Sequence, residues 1–339
     1  MVLWMLGCAT SAELPEPASG VLRNLDVVGA GVLDLRVEEG QIVEVGVGLE
    51  GPGEDLEGAL VVPGWIDSHV HLAYFDAAPE LAAAGVVAAV DLAAPIEFLS
   101  VSGWPLELLW AGPMVTASGG YPTQSWGAHG YGLEVSGVEE ARAAVAQLHE
   151  AGARVIKVPL TGSAELSDEA LRAVASEAHA RGLKVAVHAL SDAAALRGAE
   201  AGFDVLAHTP TEALSAETVE AWSDKAVIST LRAFGGSSST VDNLRQLREA
   251  GATVLYGTDL GNTRTPAIDA AEVELLMSAG MSFEEVVASG TSAPAEFWGL
   301  QRYGALEVGK EASFVVLGAA DGAGLAAPVA VLREGARLE

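Results

Sequence analysis

Hydrophobic and polar positions follow two different rhythms along this chain. Residues 27–46 alternate apolar and polar side chains around Gly-containing turns, which is typical of short antiparallel strands. Residues 312–318 and 327–332, near the other end, have the same character. The two terminal regions, residues 20–60 and 303–339, therefore predict an accessory β-domain in the form of a small β-sandwich.

Between these regions a different unit repeats, in which a short apolar strand and a loop lead into an amphipathic helix that ends at a glycine. The first clear helix is predicted to begin with a capping box of Ser136 and Glu139. The clearest predicted helices cover residues 136–151, 167–181, 191–201 and 240–250. The predicted strands cover residues 61–66, 86–92, 106–111, 155–158, 185–188, 205–208, 226–230 and 253–257.

Eight strands that alternate with helices predict an α/β fold of parallel β-α-β units, here a (β/α)8 TIM barrel over residues 61–302. An open doubly wound sheet is the alternative, but that fold usually carries a Gly-rich phosphate loop after its first strand. No such loop follows residues 61–66. The barrel is therefore the favoured prediction.

Composition narrows the classes of partner. The 339 residues are 50% hydrophobic with a mean hydropathy of +0.33, which is enough for a large core. Because 46 acidic residues outnumber 18 basic ones and the net charge is −28, the chain would repel a nucleic acid. No uninterrupted apolar run approaches about 18 residues, so we predict no transmembrane span.

The single cysteine, Cys8, excludes an internal disulfide framework and a Cys-rich zinc site. It follows a short apolar run ending in Leu6-Gly7-Cys8, which is similar to the lipobox of bacterial lipoproteins. No basic residue precedes this run, and the run is short for a signal peptide. Residues 1–19 therefore leave two alternatives open, an exported lipoprotein acylated at Cys8 or a cytoplasmic protein with a disordered N-terminus.

Candidate metal ligands lie at the ends of the predicted strands. His69 and His71, in VVPGWIDSHVHL, are two residues apart, so a β-strand would point both imidazoles to one side. In a barrel of this kind catalytic groups cluster at the C-terminal strand ends. Four further polar residues occupy such places on other strands: Lys157, His188, His208 and Asp259.

Each of these residues also has a structural interpretation. His188 and His208 could be buried histidines bonded to the backbone, and Asp259 could cap a helix. Lys157 lies between Ile156 and Val158 in a strand that should be buried, where an unpaired ammonium is costly. Carboxylation by CO₂ would explain it, because the resulting carbamate can bridge two cations.

Together these residues resemble the amidohydrolase superfamily, specifically its imidazolonepropionase-like or prolidase-like branch. The resemblance rests on PGWIDSHVH, the lysine, the two later histidines and Gly257-Thr258-Asp259, and covers the chain from about Val27 onward. The segment GALEVGKEASFVVL is similar to that family's G-x-L-x-x-G-K-x-A-D-L-V-V-L signature, with Ser313 in place of the usual Asp.

The resemblance implies a binuclear centre. One metal would be bound by His69, His71 and Asp259, and the other by His188 and His208, with carboxylated Lys157 bridging both. Imidazole and carboxylate ligands suit Zn²⁺. The centre would activate a bridging hydroxide to hydrolyse carbon–nitrogen bonds of amides, cyclic amides or dipeptides, as in a prolidase-like dipeptidase, with Asp259 as general base and then general acid.

Deaminases of the superfamily carry a glutamate three residues after the histidine of strand five, where this chain has Ser191. This disfavours a deaminase and an imidazolonepropionase. A lactonase or phosphotriesterase-like esterase remains an alternative, as does a lipid-anchored binding protein derived from the enzyme.

The substrate is expected to be a small molecule, and Arg232 and Arg264 could bind a carboxylate on it because both follow barrel strands on the active side. Either could instead be a surface arginine paired with an acid. Tyr121 stands where relatives often have histidine in a Gly-Gly-His turn and could contact substrate. A homo-oligomer is left open.

Overall fold

The computed structural model describes residues 15–162 and 164–338, and Cys8, with residues 1–14 of the predicted leader region, lies outside them. The N-terminal part consists of five strands: β1 (Gly20–Val27), β2 (Gly31–Glu38), β3 (Gln41–Gly46), β4 (Gly53–Asp55) and β5 (Leu60–Pro63).

The middle of the chain alternates strands with helices. Its strands are β6 (Trp65–Val70), β7 (Val86–Asp91), β8 (Glu107–Trp110), β9 (Met114–Ala117), β10 (Gly132–Val135), β11 (Val155–Pro159), β12 (Lys184–His188), β13 (Val205–Leu206), β14 (Ala226–Ile228) and β15 (Thr253–Leu255). Its helices are α1 (Ala78–Ala83), α2 (Val138–Ala151), α3 (Asp168–Ala180), α4 (Asp192–Glu200), α5 (Ala216–Ala221), α6 (Ser238–Ala250), α7 (Ala270–Ser278), α8 (Phe283–Gly290) and α9 (Ser292–Trp298), with 3₁₀ turns at Ile96–Ser100 and Arg232–Phe234.

The C-terminal part adds β16 (Phe314–Leu317), α10 (Gly322–Ala326), β17 (Ala330–Arg333) and β18 (Ala336–Arg337). These strands join the N-terminal ones in a single sheet of order β18-β17-β16-β5-β1-β2-β3, with β4 paired to β1. Both termini therefore build one accessory sheet, as their alternating pattern predicts. Its closure into a sandwich stays a prediction.

The α/β class is confirmed by the remaining strands, which pair in parallel. β6-β7-β8 form one sheet and β11-β12-β13-β14-β15 another, both in chain order, and β9 pairs with β10. Backbone hydrogen bonds from Ser68 N to Tyr256 O and from Asp259 N to His69 O, both 2.9 Å, join the first of these strands to the loop after the last. Between the two sheets, Arg154 N, directly before β11, donates to Trp110 O at the end of β8 at 2.9 Å.

The first predicted barrel strand, residues 61–66, is wrong in its position. Leu60–Pro63 belongs to the accessory sheet and pairs with β16, whereas β6 begins at Trp65. Gly64 makes the change between them, since its N donates to Ser313 O while Trp65 N donates to Gly85 O. A Cβ at Gly64 would lie 2.3 Å from Val87 Cγ1, so only glycine lets the two sheets approach this closely.

Serine caps account for several helix starts. The side chains of Ser167, Ser191 and Ser237 accept hydrogen bonds at the N-termini of α3, α4 and α6. The predicted capping box at Ser136 is wrong, because α2 begins at Val138 with Gly137 as its N-cap. Glu140, one residue after the predicted Glu139, instead accepts from Ser136 N at 2.9 Å.

Among the parallel strands, β6, β7 and β11 are buried along their length, as expected for strands covered on both faces. Below them, α9 places Trp298 so that its Nε1 donates to Ser68 Oγ at 3.1 Å. Within the described ranges, every helix is too short or too polar to cross a membrane.

Candidate metal centre

The structure brings the six predicted ligands to one cavity of about 310 Å³. Five of them lie at or shortly after the C-terminal ends of β6, β12, β13 and β15, and Lys157 lies within β11. The cavity is lined by His69, His71, Tyr74, Met114, Tyr121, Trp126, Lys157, His188, His208, Phe234, Asp259, Gly261, Asn262 and Arg264.

His69, His71 and Asp259 form its most compact group. The two Nε2 atoms are 3.3 Å apart, and Asp259 Oδ1 lies 3.5 Å from His69 Nε2 and 3.2 Å from His71 Nε2. The ligand atoms of the three residues all lie within 4.8 Å of one another, and all three side chains are buried.

Neighbouring groups orient two of the imidazoles. His69 Nδ1 lies 2.8 Å from the carbonyl oxygen of Ala207, so this nitrogen donates and Nε2 carries the lone pair. His208 Nδ1 lies 3.0 Å from Thr230 Oγ1, and this hydrogen bond fixes the orientation of the His208 ring. Such outer contacts are typical of histidines that bind metals.

Burial keeps the imidazoles of His69, His188 and His208 neutral. It lowers the pKa of His69 and His208 well below the usual range, and that of His188 to about 3. Burial works against ionisation of Asp259 as well, but the adjacent imidazoles, His69 first, outweigh it and hold the pKa of this carboxyl well below its usual value. Neutral imidazoles and an ionised carboxylate are the forms that bind a cation.

Lys157 is only 1% exposed and lies in the middle of β11. In the part of the chain that the structure describes, no carboxylate oxygen lies within 4.0 Å of its Nζ. Burial lowers the pKa of Lys157 to about 7, with Asp259 opposing the shift. A large share of this lysine is therefore the neutral amine near neutral pH, which is the form that reacts with CO₂.

The donor set fits a divalent cation. Two imidazole nitrogens and one carboxylate oxygen converge on a buried point, and these are ligands that Zn²⁺ commonly takes in catalytic sites. His188 and His208 stand beside this group, with their rings 4.7 Å apart and the His208 ring 4.5 Å from that of His69.

Comparison with known proteins agrees with this geometry. The amidohydrolase family profile matches residues 60–336. The chain belongs to the amidohydrolase family. As a member of this family it is a hydrolase that acts on carbon–nitrogen bonds. No curated protein matches the sequence.

Solved structures share the amidohydrolase fold over almost the whole chain. A protein from Bifidobacterium longum, provisionally assigned as a prolidase, is 26% identical with a TM-score of 0.79, over 96% of this chain and 95% of that one. A Xaa-Pro dipeptidase with bound methionine is 19% identical with a TM-score of 0.80, over 94% and 99%. The ochratoxinase of A. niger is 19% identical with a TM-score of 0.76, over 95% and 96%. The last two likenesses concern the fold alone.

Two residues of this amidohydrolase take the left-handed backbone conformation directly beside the cavity. Asp259 has φ 53° and Thr230 has φ 40°. A β-branched residue rarely adopts this conformation, which costs about 1–3 kcal/mol. Thr230 is 1% exposed, and its hydroxyl contacts His208, so the strained backbone holds an imidazole in place.

A buried carboxylate supports the centre from below. Asp67 accepts hydrogen bonds from Thr258 Oγ1 at 2.6 Å, from Thr258 N at 3.1 Å and from His69 N at 3.0 Å. It therefore connects the strand that carries His69 to the loop that carries Asp259. Asn262 adds a second contact on that loop, because its Nδ2 donates to Asp259 Oδ2 at 3.2 Å.

The predicted substrate residues differ in their surroundings. Tyr121 lines the cavity, with its ring 5.4 Å from that of His188. Arg264 also lines it. Arg232 forms an ion pair with Asp269, donates to Thr265 Oγ1 at 3.1 Å, and is not among the lining residues.

Sequence reasoning missed several neighbours of the centre. Trp126 stands 5.4 Å from the His71 ring and donates from Nε1 to the Tyr121 hydroxyl at 2.7 Å, and Phe234 stands 4.7 Å from the His208 ring. The signal for Trp126 was an aromatic residue in the Gly-rich segment SWGAHGYG, and that for Phe234 was its place two residues after Arg232. Thr230 and Asn262 carried no comparable signal.

Proposed function

We propose that this amidohydrolase is a binuclear metal-dependent hydrolase of amide, cyclic amide or dipeptide-like bonds in small molecules. The observation that carries the proposal is the buried group of His69, His71 and Asp259, whose ligand atoms lie within 4.8 Å of one another. The prolidase-related protein at 26% identity supports the same class of bond.

The first cation would be held by His69, His71 and Asp259, and the second by His188 and His208. Divalent ions such as Zn²⁺ would polarise the substrate carbonyl and lower the pKa of a water molecule to about 7. The chain's own contribution is to keep the imidazoles of His69, His188 and His208 neutral and to fix the rings of His69 and His208.

Lys157 would serve as the bridging ligand after carboxylation. Its neutral amine attacks CO₂, a C–N bond forms, and one proton leaves to solvent, which gives a carbamate with one negative charge. The burial that lowers the pKa of Lys157 to about 7 favours this reaction, because the ammonium form is not a nucleophile. The negative charge then offsets part of the cationic charge in the buried site.

Asp259 would move the proton. Its carboxylate accepts a proton as water adds to the substrate carbonyl carbon, and then delivers that proton to the leaving nitrogen as the C–N bond breaks, so the products are a carboxylic acid and an amine. Asn262 fixes Oδ2 of this carboxylate from one side, while Oδ1 faces His69 and His71. One carboxylate oxygen is thus held by the loop while the other faces the ligands.

The proposed architecture is a (β/α)8 barrel in which the two parallel sheets close on one another. The hydrogen bonds of Ser68 with Tyr256 and of Asp259 with His69 support closure between β6 and the loop after β15. The hydrogen bond of Arg154 with Trp110 supports continuity between β8 and β11. Such a closed arrangement would place every ligand at one end of the barrel.

Metal analysis with an activity panel tests this function. Protein supplied with Zn²⁺ and bicarbonate, then freed of unbound ion, should retain about two metal ions per chain by elemental analysis. N-acyl amino acids and X-Pro dipeptides should be cleaved, and chelation should abolish cleavage. Metal content near zero, or turnover of lactones or aryl phosphates with no turnover of amides, would refute the proposal.

A further inference from the structure

The rim of the cavity carries an arginine, Arg264, that has no acidic partner among the described residues. Arg264 follows a tight turn in which Thr263 N donates to Asp259 O at 2.9 Å and Thr263 Oγ1 donates to Thr258 O at 3.0 Å. Its guanidinium lies 4.6 Å from the Phe75 ring and 5.6 Å from the Tyr74 ring. The turn and the two rings keep the cation near the proposed metal ligands.

Among the described residues, Arg264 differs from most other arginines because it has no nearby carboxylate. Most arginines of this acidic chain lie within 4.0 Å of a carboxylate, including Arg232 with Asp269. Within the described residues, no carboxylate oxygen approaches Arg264 to that distance. A planar guanidinium held open toward a cavity suits bidentate binding of a carboxylate.

Negatively charged side chains are scarce among the described residues that line the cavity. Among the described residues that line it, Asp259 is the only acidic side chain, and it already faces two imidazoles. The free α-ammonium group of a dipeptide would find no available carboxylate there. Burying that ammonium unpaired would be costly.

An aromatic wall supplies apolar surface instead. It consists of Tyr74, Tyr121 and Trp126, with Trp126 5.4 Å from Tyr74 and hydrogen-bonded to Tyr121. Phe234 lies on the side of the cavity formed by His188 and His208. These rings favour an uncharged acyl group over a charged amino terminus.

We propose that this site selects N-acylated amino acids, with the substrate carboxylate on Arg264 and the acyl group against the aromatic wall. The proposal rests on the proposed function and narrows it, since that function allows both N-acyl amino acids and free dipeptides. Arg264 acts here as a specificity-determining residue, while the ligands and Asp259 carry the chemistry.

Three matched substrates test the assignment with the Zn²⁺-loaded enzyme: N-acetyl-L-methionine, N-acetyl-L-methioninamide and glycyl-L-methionine. We expect kcat/KM to be highest for the first, by about 10- to 100-fold, because a charge-assisted hydrogen bond contributes about 1.5–3 kcal/mol. Arg264→Met should remove this advantage over the amide, chiefly through KM. The loss of kcat/KM should be much larger for the acid than for the amide.

Arg154→Met is the matched control. Arg154 is also an exposed arginine with no carboxylate oxygen within 4.0 Å among the described residues, but it directly precedes β11, at the end of the strand away from the cavity. Its substitution should alter none of the three rates. Arg264→Lys should restore part of the preference for the acid.

Two results would overturn the assignment while leaving the proposed function intact. One is faster cleavage of glycyl-L-methionine than of N-acetyl-L-methionine, and the other is an equal loss for acid and amide in Arg264→Met. If no substrate is cleaved, the proposed function fails, and calorimetry with the full chain still decides the binding claim. Binding of N-acetyl-L-methionine no tighter than that of its amide would then contradict the role of Arg264.

Discussion

Thr230→Val isolates the contact that orients His208. Valine keeps the β-branched shape of Thr230 and hence the strain at φ 40°, but it removes the oxygen that lies 3.0 Å from His208 Nδ1. Both side chains are buried, at 1% and 3% exposure, so water does not readily replace the lost hydroxyl. The substitution therefore changes one hydrogen bond and little else.

Two magnitudes follow from this geometry. A buried polar group left without its partner costs about 1–3 kcal/mol, which should appear in the free energy of unfolding of the metal-free protein. Loss of a contact that orients a metal-binding imidazole weakens metal affinity by about 10- to 100-fold. The second effect should be visible in the Zn²⁺ dissociation constant.

Urea denaturation of the metal-free protein and Zn²⁺ competition against a chromophoric chelator would measure the two quantities separately. Thr291→Val is the matched control, because Thr291 is 2% exposed and its hydroxyl donates to Val287 O at 2.7 Å, with no contact to a histidine. It should lose stability but keep its Zn²⁺ affinity. Thr230→Ser, which retains the hydroxyl, should restore binding.

Unchanged Zn²⁺ affinity in Thr230→Val would refute the proposed role of the Thr230 hydroxyl in orienting His208. An equal loss of affinity in Thr291→Val would also refute it, because the effect would then reflect general stability.

Three further changes probe other parts of the molecule. Lys157→Ala should lose metal and activity, with partial return on addition of a short carboxylic acid; an active variant without this supplement would show that Lys157 is structural. Burial raises the pKa of Glu272 from 4.5 to about 7, so the folded state binds its proton more tightly and the free energy of unfolding falls as pH rises through this range. Glu272→Gln should remove roughly 2.5 kcal/mol of that fall between pH 5 and 8 in urea denaturation. Parallel pH profiles of the variant and the wild type would contradict the assignment. Gly64→Ala would place a Cβ 2.3 Å from Val87 Cγ1 and should lower the free energy of unfolding by about 1–3 kcal/mol. Gly137→Ala, whose Cβ meets nothing within 4 Å, should lower it much less. Equal urea midpoints for the two variants would show that the contact with Val87 relaxes freely.

Periodicity predicted much of the fold because parallel buried strands and amphipathic helices leave distinct patterns. It failed at Gly64, since one continuous apolar run contains both an accessory strand and the first strand of the parallel sheet. Apolar side chains mark burial and do not say which sheet buries them. The pairing of Leu60–Pro63 with β16 depends on residues far away in the sequence.

The convergence of the candidate metal ligands on one cavity was predictable because polar side chains at the ends of apolar strands are conspicuous. The residues around them were not, since Thr230 and Asn262 are ordinary loop residues whose role depends on backbone conformation and distance. Arg232 and Arg264 look alike in sequence. They differ in the folded chain, where Arg232 pairs with Asp269 and Arg264 lines the cavity.

The mixed origin of the accessory sheet affects how the protein is made. Phe314 pairs with Pro63, so β5 must wait while the ribosome synthesises some 250 residues before its neighbour β16 exists. At about 5–20 residues per second this interval lasts roughly 10–50 s, during which an apolar strand edge is open to pairing with another nascent chain. A chain truncated before Phe314 would lack β16, so the edge of β5 would stay unpaired. The yield of folded amidohydrolase should therefore depend on chaperone supply. It should also fall when residues are removed from the C-terminal end.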